Sequence, residues 1–535
     1  RPPRSTLFPY TTLFRSHGAF VNDNRSFYRE WIAIMKDDIM ERKNKWINVL
    51  FAFVVLLGMM LFFVLLHPIP IMDEDDVIYT VLIRKPIPIP GSWNPSRVLP
   101  EVLATLCGQT AALLTRFGFG TFIHCQVFVT GTLLSLFITA YVCSFRSLLI
   151  HRIHLGEPAA IFLAILFLEL HFLVYRVAPT GNLHMFHTYD ECCVFFYTIP
   201  ALLCSTIVMR FLAQKTDNPL KGKGLGKQTI WITVLYFAVF SNLYGSIILA
   251  AYAGIRLLCN FITERKKAGR ELFWKQNGVL GGVLLLWILA AVLESTGGRA
   301  SGMNTLSNHK ASFPELISNT AGLFFRTVWN TGMMFKLIFF ASLLLFIVLA
   351  MRSRQFAETR DSIGLLLYTC GLTIICSVFL ILLSAIVNPE YLNRPEAIFV
   401  TMFTLILMIG ICTAFLFKRL PKLSVFLPVF LLLVFSVSCS WERTYADSNP
   451  VNINGHAAVA LENEIYESII RAAEEGRGDV GVPVPKYNES GNWPHDGNIG
   501  APIAQMFLKY GIIDHDIFVW IDPSEEINAK YGINP

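Results

Sequence analysis

The feature that most constrains this chain is an apolar run of about 20 residues that recurs along its length with basic residues beside it. A run of that length matches the roughly 30 Å hydrocarbon core of a bilayer at about 1.5 Å rise per residue, so each run reads as a membrane helix. The spans expected on this ground cover residues 47–66, 121–144, 158–177, 194–212, 278–293, 331–350, 363–387, 397–417 and 423–439, with two more inside 229–259. With 54% hydrophobic and 15% charged residues and a mean hydropathy of +0.52, a soluble globular fold is excluded. The expected fold class is an α-helical polytopic membrane protein of about 11 transmembrane helices with a small external C-terminal α/β domain.

The basic residues set the direction of crossing. Arg42, Lys43 and Lys45 precede the first span, Arg146, Arg152 and His154 follow the second, and Lys221, Lys223 and Lys227 follow the fourth. Arg265 to Lys275, Arg352 to Arg360, and Lys418 to Lys422 continue the series. The positive-inside rule puts all of these in the cytoplasm if the amino end is inside and the carboxyl end outside. Residues 229–259 are apolar but have basic clusters on both flanks, so one long helix would strand one cluster outside. Two short spans turning at Ser241-Asn242-Leu243-Tyr244-Gly245-Ser246 satisfy the rule, and such a turn at membrane depth must line a cavity or be covered by protein.

The domain organisation follows. Residues 1–16 resemble the translation of a sequencing adapter and are set aside, which leaves the true N-terminus open. Residues 17–45 form a cytoplasmic segment, and 46–440 the transmembrane domain with external loops 67–120, 178–192, 295–325 and 388–396. Residues 441–535 form the external domain, with helices expected at 457–475 and 499–510 and strands at 480–484 and 516–521. That segment holds fifteen acids and six bases, a net −9 inside a chain whose total is +6, which leaves +15 elsewhere. This split fits a basic cytoplasmic face and an acidic external one rather than nucleic-acid binding. None of the 11 cysteines lies beyond Cys439, so no disulfide staples the external domain.

The chemistry-bearing residues fall on the external loops. Asp73, Glu74, Asp75 and Asp76 emerge just past the first span, where a run of acids is costly unless something solvates or uses it. Asp75 or Asp76 is the candidate general base, since a carboxylate beside another acid at an apolar boundary has a raised pKa. Arg97, Arg299 and Arg394, one from each of three external loops, are shaped to hold a phosphate. Residues 98–115 place apolar side chains against Glu101, Gln109 and Arg116, the pattern of a helix lying on the membrane surface. Tyr79, His187, Asp190, Glu191, Asn242 and Tyr244 complete the expected cavity lining together with Asp73 and Glu74.

Asp75-Asp76-Val77-Ile78-Tyr79 resembles the Asp-Asp-x-x-Tyr of bacterial O-antigen-type glucosyltransferases, and Asn94-Pro95-Ser96-Arg97 is similar to their Asn-Gly-Arg with a departure at the glycine. Gly297-Gly298-Arg299 and Asn393-Arg394 resemble further loops of theirs that end in arginine. The acidic pair in a first external loop, the surface helix after it and the external carboxyl domain together resemble the GT-C superfamily of membrane glycosyltransferases. That resemblance implies a polyprenyl-phosphate sugar donor, a cell-envelope glycan or lipid-linked acceptor, and inverting transfer with Asp75 as base. It implies a role in polysaccharide biosynthesis at the bacterial cytoplasmic membrane. It leaves open a divalent cation, with Asp73, Glu74 and Asp76 either its ligands or groups that tune Asp75.

Plainer readings stand beside these. A run of acids is most often a solvated loop, and an arginine at a span end is often a headgroup anchor. His184-x-x-His187-x-x-Asp190 reads as polar lining rather than a metal site, because no tetrahedral framework accompanies it. Glu169, His171 and Arg176 read as partners of neighbouring helices, and Trp493-Pro494-His495-Asp496-Gly497 as a turn. The competing function is a transporter or flippase of lipid-linked sugars, whose polar groups would line a path to both membrane faces.

Overall fold

The computed structural model of the chain describes residues 45–71, 74–174, 184–186, 188, 191–214, 218–302, 312–353, 356–437, 455–486 and 500–533, with only the backbone of 264–272, 275, 302, 356–358 and 437. The chain divides into two units, residues 1–55 and 56–535. Of the first, the described residues 45–55 are helical. They begin α1 (Lys45–Leu66).

The second unit is built of helices. In order they are α2 (Glu74–Val81), α3 (Val98–Arg116), α4 (Phe122–Leu148), α5 (Glu157–Leu173), α6 (Glu191–Gln214), α7 (Leu225–Val239) and α8 (Leu243–Ser295). After the short α9 (Gly298–Gly302) come α10 (Phe313–Trp329), α11 (Met333–Arg352), α12 (Phe356–Val387), α13 (Phe399–Arg419) and α14 (Leu427–Val437). Nine helical stretches among the described residues are long and apolar enough to cross a membrane, and two shorter apolar helices, Leu225–Val239 and Pro421–Ser436, accompany them. The number differs from the expected eleven by one gain and three losses among the described residues: Val98–Arg116, read from the sequence as a surface helix, qualifies by length and hydropathy, whereas α5, with 17 residues, and the two shorter helices Leu225–Val239 and Pro421–Ser436 do not.

α6 and α13 form the centre, with 83% of each apolar window buried, while Gln276–Ser295 and Met333–Arg352, at 17% and 22%, stand at the rim. Around the centre Phe145 stacks on Phe167 at 4.1 Å, and Tyr141 and Phe403 meet at 5.5 Å. Gly410 lies so close to Phe145 that a Cβ there would come within 2.5 Å of the ring. Aromatic rings supply large contact area in a few rotamers, which defines one packing of the helices.

The backbone is helical throughout α8, and yet the helix doubles back. Asn260 Nδ2 donates to Asn277 Oδ1 at 2.7 Å, and Trp287 Nε1 donates to Ser246 Oγ at 2.9 Å. Residues 17 and 41 positions apart would be about 25 Å and about 60 Å apart on a straight helix. Leu243–Thr263 and Gln276–Ser295 are therefore the two legs of a hairpin. This agrees with the sequence, which separates these spans with a basic stretch. The expected turn at Ser241 is also present, between α7 and α8, where Asn242 Oδ1 accepts from Tyr244 N at 2.9 Å and caps the new helix.

The C-terminal residues form α15 (Gly455–Glu474), β1 (Asp479–Pro485), α16 (Gly500–Tyr510), β2 (Phe518–Ser524) and α17 (Glu525–Tyr531). The two strands pair in parallel with Val480 opposite Val519 and Val482 opposite Ile521, as a strand–helix–strand crossover requires. Their core is continuous with the helical unit: Ile465, Val482, Ile503 and Phe507 cluster with Val77 of α2, Ala111 and Ala112 of α3 and Phe122 of α4.

Candidate active site

The site begins with α2. Glu74, Asp75 and Asp76 all fall in its first turn, where unpaired N–H groups and the helix dipole favour negative charge. Neighbouring residues on a helix point about 100° apart, and this separates the two aspartates. Asp76 is buried and its Oδ1 accepts from Cys192 N at the start of α6. Asp75 is exposed and lines a cleft of about 820 Å³. Tyr79, one turn on, lines the same cleft with Trp93, Asn94, Arg84 and Glu101. Of the expected pair, then, Asp75 alone faces this space, and Asp76 joins two helices.

The loop from α2 to α3 closes the other wall of the cleft. Arg84 donates to Asn94 O at 2.7 Å and Pro95 O at 2.8 Å, and pairs with Glu101 of α3. Asn94 Nδ2 donates to Tyr79 OH at 2.7 Å and to Glu101 Oε1 at 3.0 Å. Leu99 N donates to Phe240 O at 3.0 Å, which fixes the end of the loop to the end of α7. Burial, and after it the charge of Asp75, pushes the Tyr79 phenol above its ordinary range, so it stays protonated.

Arg97 ends this loop in a buried position. Its Nε donates to Glu294 Oε1 at 2.7 Å, while Ser96 Oγ donates to Glu294 Oε2 at 2.6 Å. Its Cζ lies 5.8 Å from the Phe196 ring, and Tyr79 packs on the same ring at 4.7 Å. Burial opposes the charge of Arg97, but Glu294 outweighs that and raises its pKa. Its buried Nη1 has no hydrogen-bond partner within the protein.

Arg299 reaches the same place by a glycine turn. Gly298 N donates to Ser92 O at 3.1 Å and Arg299 N to Trp93 O at 3.2 Å. A Cβ on Gly297 would lie 2.5 Å from Pro95 Cδ, and one on Gly298 would lie 2.8 Å from the Trp93 ring. Only glycine lets the two loops approach this closely. Arg299 Nη2 then donates to Tyr391 OH at 3.3 Å. Arg394 completes the group: its Cζ lies 5.8 Å from the Tyr197 ring and 5.7 Å from the Tyr391 ring, and its Nε pairs with Glu396 at 2.7 Å.

Arg299 and Arg394 therefore meet at Tyr391, with Arg394 also over Tyr197, and Arg97 lies on Phe196, whose other neighbour Tyr79 lines the Asp75 cleft. The other expected residues that are described do not line the Asp75 cleft. Glu191 is buried and accepts from Gln126 and Thr130. Asn242 donates to Phe196 O at 2.6 Å besides capping α8. Tyr244 packs on Tyr197 at 5.8 Å and on Tyr391 at 6.1 Å, beneath the arginines. Glu74 is exposed at the start of α2. Asp73, His187 and Asp190 lie outside the described residues. Among the described residues no three His, Cys, Asp or Glu side chains are grouped to hold a metal ion.

Sequence reasoning missed Arg84, Glu294, Tyr197 and Tyr391. Glu294 had a signal, an acid closing an apolar span, which is the reason the Asp75 run stood out. The tyrosines sit among many aromatics and had none. No protein-family model matches the chain, and no curated protein matches it.

Proposed function

We propose that the chain is a membrane glycosyltransferase of the GT-C kind, moving a sugar from a polyprenyl-phosphate carrier to an external cell-envelope glycan. The observation that carries this reading is the meeting of Arg299 and Arg394 at Tyr391, with Arg97 on the neighbouring Phe196, next to a cleft lined by Asp75. Three guanidinium groups gathered from separate loops are matched to a dense anion such as a phosphate. A carboxylate exposed to the cleft beside them is matched to a hydroxyl that must lose its proton.

Asp75 takes the proton of the acceptor hydroxyl, and the freed oxygen attacks the anomeric carbon of the donor. The bond from that carbon to the phosphate oxygen breaks, and the lipid phosphate leaves with the electron pair. Arg97 and Arg299 stabilise the charge that develops on it, and attack opposite the leaving group inverts the anomeric carbon. The neutral Tyr79 phenol, held by Asn94, sits between the base and the arginines as a hydrogen-bond donor. The site faces the outside of a bacterial cytoplasmic membrane, with the amino end in the cytoplasm.

The test is Asp75→Asn in the full chain, with glycans compared by mass spectrometry between cells that express it, the parent or neither. Transfer should fall by about 10²- to 10⁴-fold, the range for loss of a general base. The thermal midpoint should not move, since Asp75 is exposed. Transfer at the parental rate would remove Asp75 from the mechanism.

A further inference from the structure

A separate groove lies where the C-terminal residues meet α3. It has a volume of about 330 Å³ and is lined by Val81 of α2, by Gln109, Leu113 and Arg116 of α3, and by Lys509 and Tyr510 of α16, among others. α3 runs along one end of the helix bundle instead of through it. Near its start Leu99 N donates to Phe240 O at the end of α7, and only residues 117–121 separate its last residue, Arg116, from the start of α4 at Phe122. Gln126 of α4 donates to Glu191 at the start of α6, and Asn242, beside the end of α7, donates to Phe196 O of α6. The starts of α4 and α6 and the end of α7 are thus at one level, and both ends of α3 lie there.

The groove combines two exposed cations with an apolar rim. Arg116 donates to Tyr510 O, and Lys509 Nζ donates to Val81 O. Each bond takes one N–H from a group that carries five or three, and a carbonyl does not cancel either charge. Tyr510 OH is spent on Thr80 O. No carboxylate is among the described residues that line the groove, so the two cations repel across it unless an anion stands between them. The rim is different in character. Leu106 and Leu113, with Phe117 and Phe119 just past the last turn, are exposed large apolar side chains along α3. Gln109 and Arg116 share their stripe at helical spacing. An apolar stripe that carries a cation at one end of a bundle is the pattern of a helix seated at a membrane surface.

We propose that this groove holds the headgroup of an anionic phospholipid of the leaflet at this end, with its phosphate on Arg116 and Lys509 and its acyl chains along Leu106, Leu113 and Phe117. The basic loops at the opposite end of α4 and α6 make this the outer leaflet by the positive-inside rule. The cations select a phosphate, and the exposed apolar stripe beside them selects one that carries chains over a soluble one. Because Arg116 belongs to α3 and Lys509 to α16, the bound lipid joins the C-terminal residues to the membrane helices. The proposal does not rest on the glycosyltransferase reading.

The full chain, purified in neutral detergent, is given phosphatidylglycerol, phosphatidylcholine or inorganic phosphate, and bound lipid is counted by native mass spectrometry with thermal unfolding in parallel. Phosphatidylglycerol should bind in preference to phosphatidylcholine and raise the unfolding midpoint, and inorganic phosphate at equal concentration should raise it less. Arg116→Gln and Lys509→Gln should each weaken phosphatidylglycerol about fivefold, and the pair about twenty-five-fold, as expected for one basic residue each near a headgroup. Arg116→Lys keeps the charge and should keep most of the binding. Gln109→Trp keeps both cations and fills the groove from an exposed helix position, so it should remove the binding and leave the fold intact. Equal binding of the two lipids, phosphatidylglycerol binding that Gln109→Trp leaves unchanged, or stabilisation by inorganic phosphate equal to that by the lipid each overturns the proposal, even if the double variant does not fold.

Discussion

Cations at the two ends of these helices are held in different ways. At the Asp75 end, Arg97, Arg299 and Arg394 come from separate loops, where Glu294 compensates Arg97, Glu396 compensates Arg394, and Arg299 donates to the Tyr391 hydroxyl. At the other end, four cations among the described residues each serve a nearby helix end. Arg146 pairs with Glu157, Arg210 Nε donates to Ser144 Oγ at 2.8 Å, Lys418 Nζ donates to Ile153 O at 2.6 Å, and Arg419 donates to Thr359 Oγ1 at 3.0 Å. Spreading charges over helix-end carbonyls and hydroxyls stabilises a frame. Gathering like charges does not, because they repel unless something between them is negative. The first arrangement is the one the proposed site needs, and the second is a scaffold.

The comparison is broken most directly at Glu294. Glu294→Gln leaves the buried Arg97 charged without its carboxylate, and breaking a buried pair by removing one partner costs about 3–5 kcal/mol. Thermal or denaturant unfolding of the purified protein should show a loss of that size. A loss below about 1 kcal/mol, the level of a surface pair, would mean that Arg97 is compensated elsewhere and that the two ends differ less than their geometry implies.

A glycine from each end sharpens the contrast. Gly297→Ala puts a Cβ 2.5 Å from Pro95 Cδ and 3.1 Å from Trp93 O, and neither a ring nor a backbone can yield at little cost. Overpacking of this kind costs about 1–3 kcal/mol, and it displaces Arg299, so transfer activity should fall with stability. Gly364→Ala at the far end enters open space on a helix. It should be neutral or stabilise by about 0.5–1 kcal/mol, read from the same unfolding curves.

How far the sequence reaches can be judged from the same residues. Span length and hydropathy locate α4, α6, α11 and α13 within a few residues, and the basic-flank argument finds the Ser241 break and separates the legs of α8. Two strands and two of the three helices of residues 455–533 lie near their expected positions, while the parallel pairing and α17 had no signal in the sequence reading. α10, most of which falls in the expected loop 295–325, had a legible signal that was passed over: Leu316, Thr320 and Phe324 repeat every fourth residue and are buried. The convergence of Arg97 and Arg299 was expected, because loops on one side of a membrane share a surface. Their partners were hidden, since Arg97 and Glu294 are 197 positions apart and no local pattern links them. Asp75 and Asp76 look alike as a dipeptide, and only a helix sends one to the cleft and the other to Cys192.

The smallest effect expected is at Lys418, which caps the end of α4. Its Nζ holds the carbonyl of Ile153, where His154 adopts a left-handed conformation (φ 61°) and ends the helical turn. Lys418→Met keeps the apolar stem and removes the donor to Ile153 O and a favourable charge at a helix C-terminus, a loss of about 1 kcal/mol for the two. Transfer activity should not change, because the residue lies at the end of α13 away from the cleft. If Lys418→Met matched Glu294→Gln in stability, both ends would be equally intolerant of a lost partner. Convergence at the Asp75 end would then be a way of packing loops rather than evidence of an anion between them.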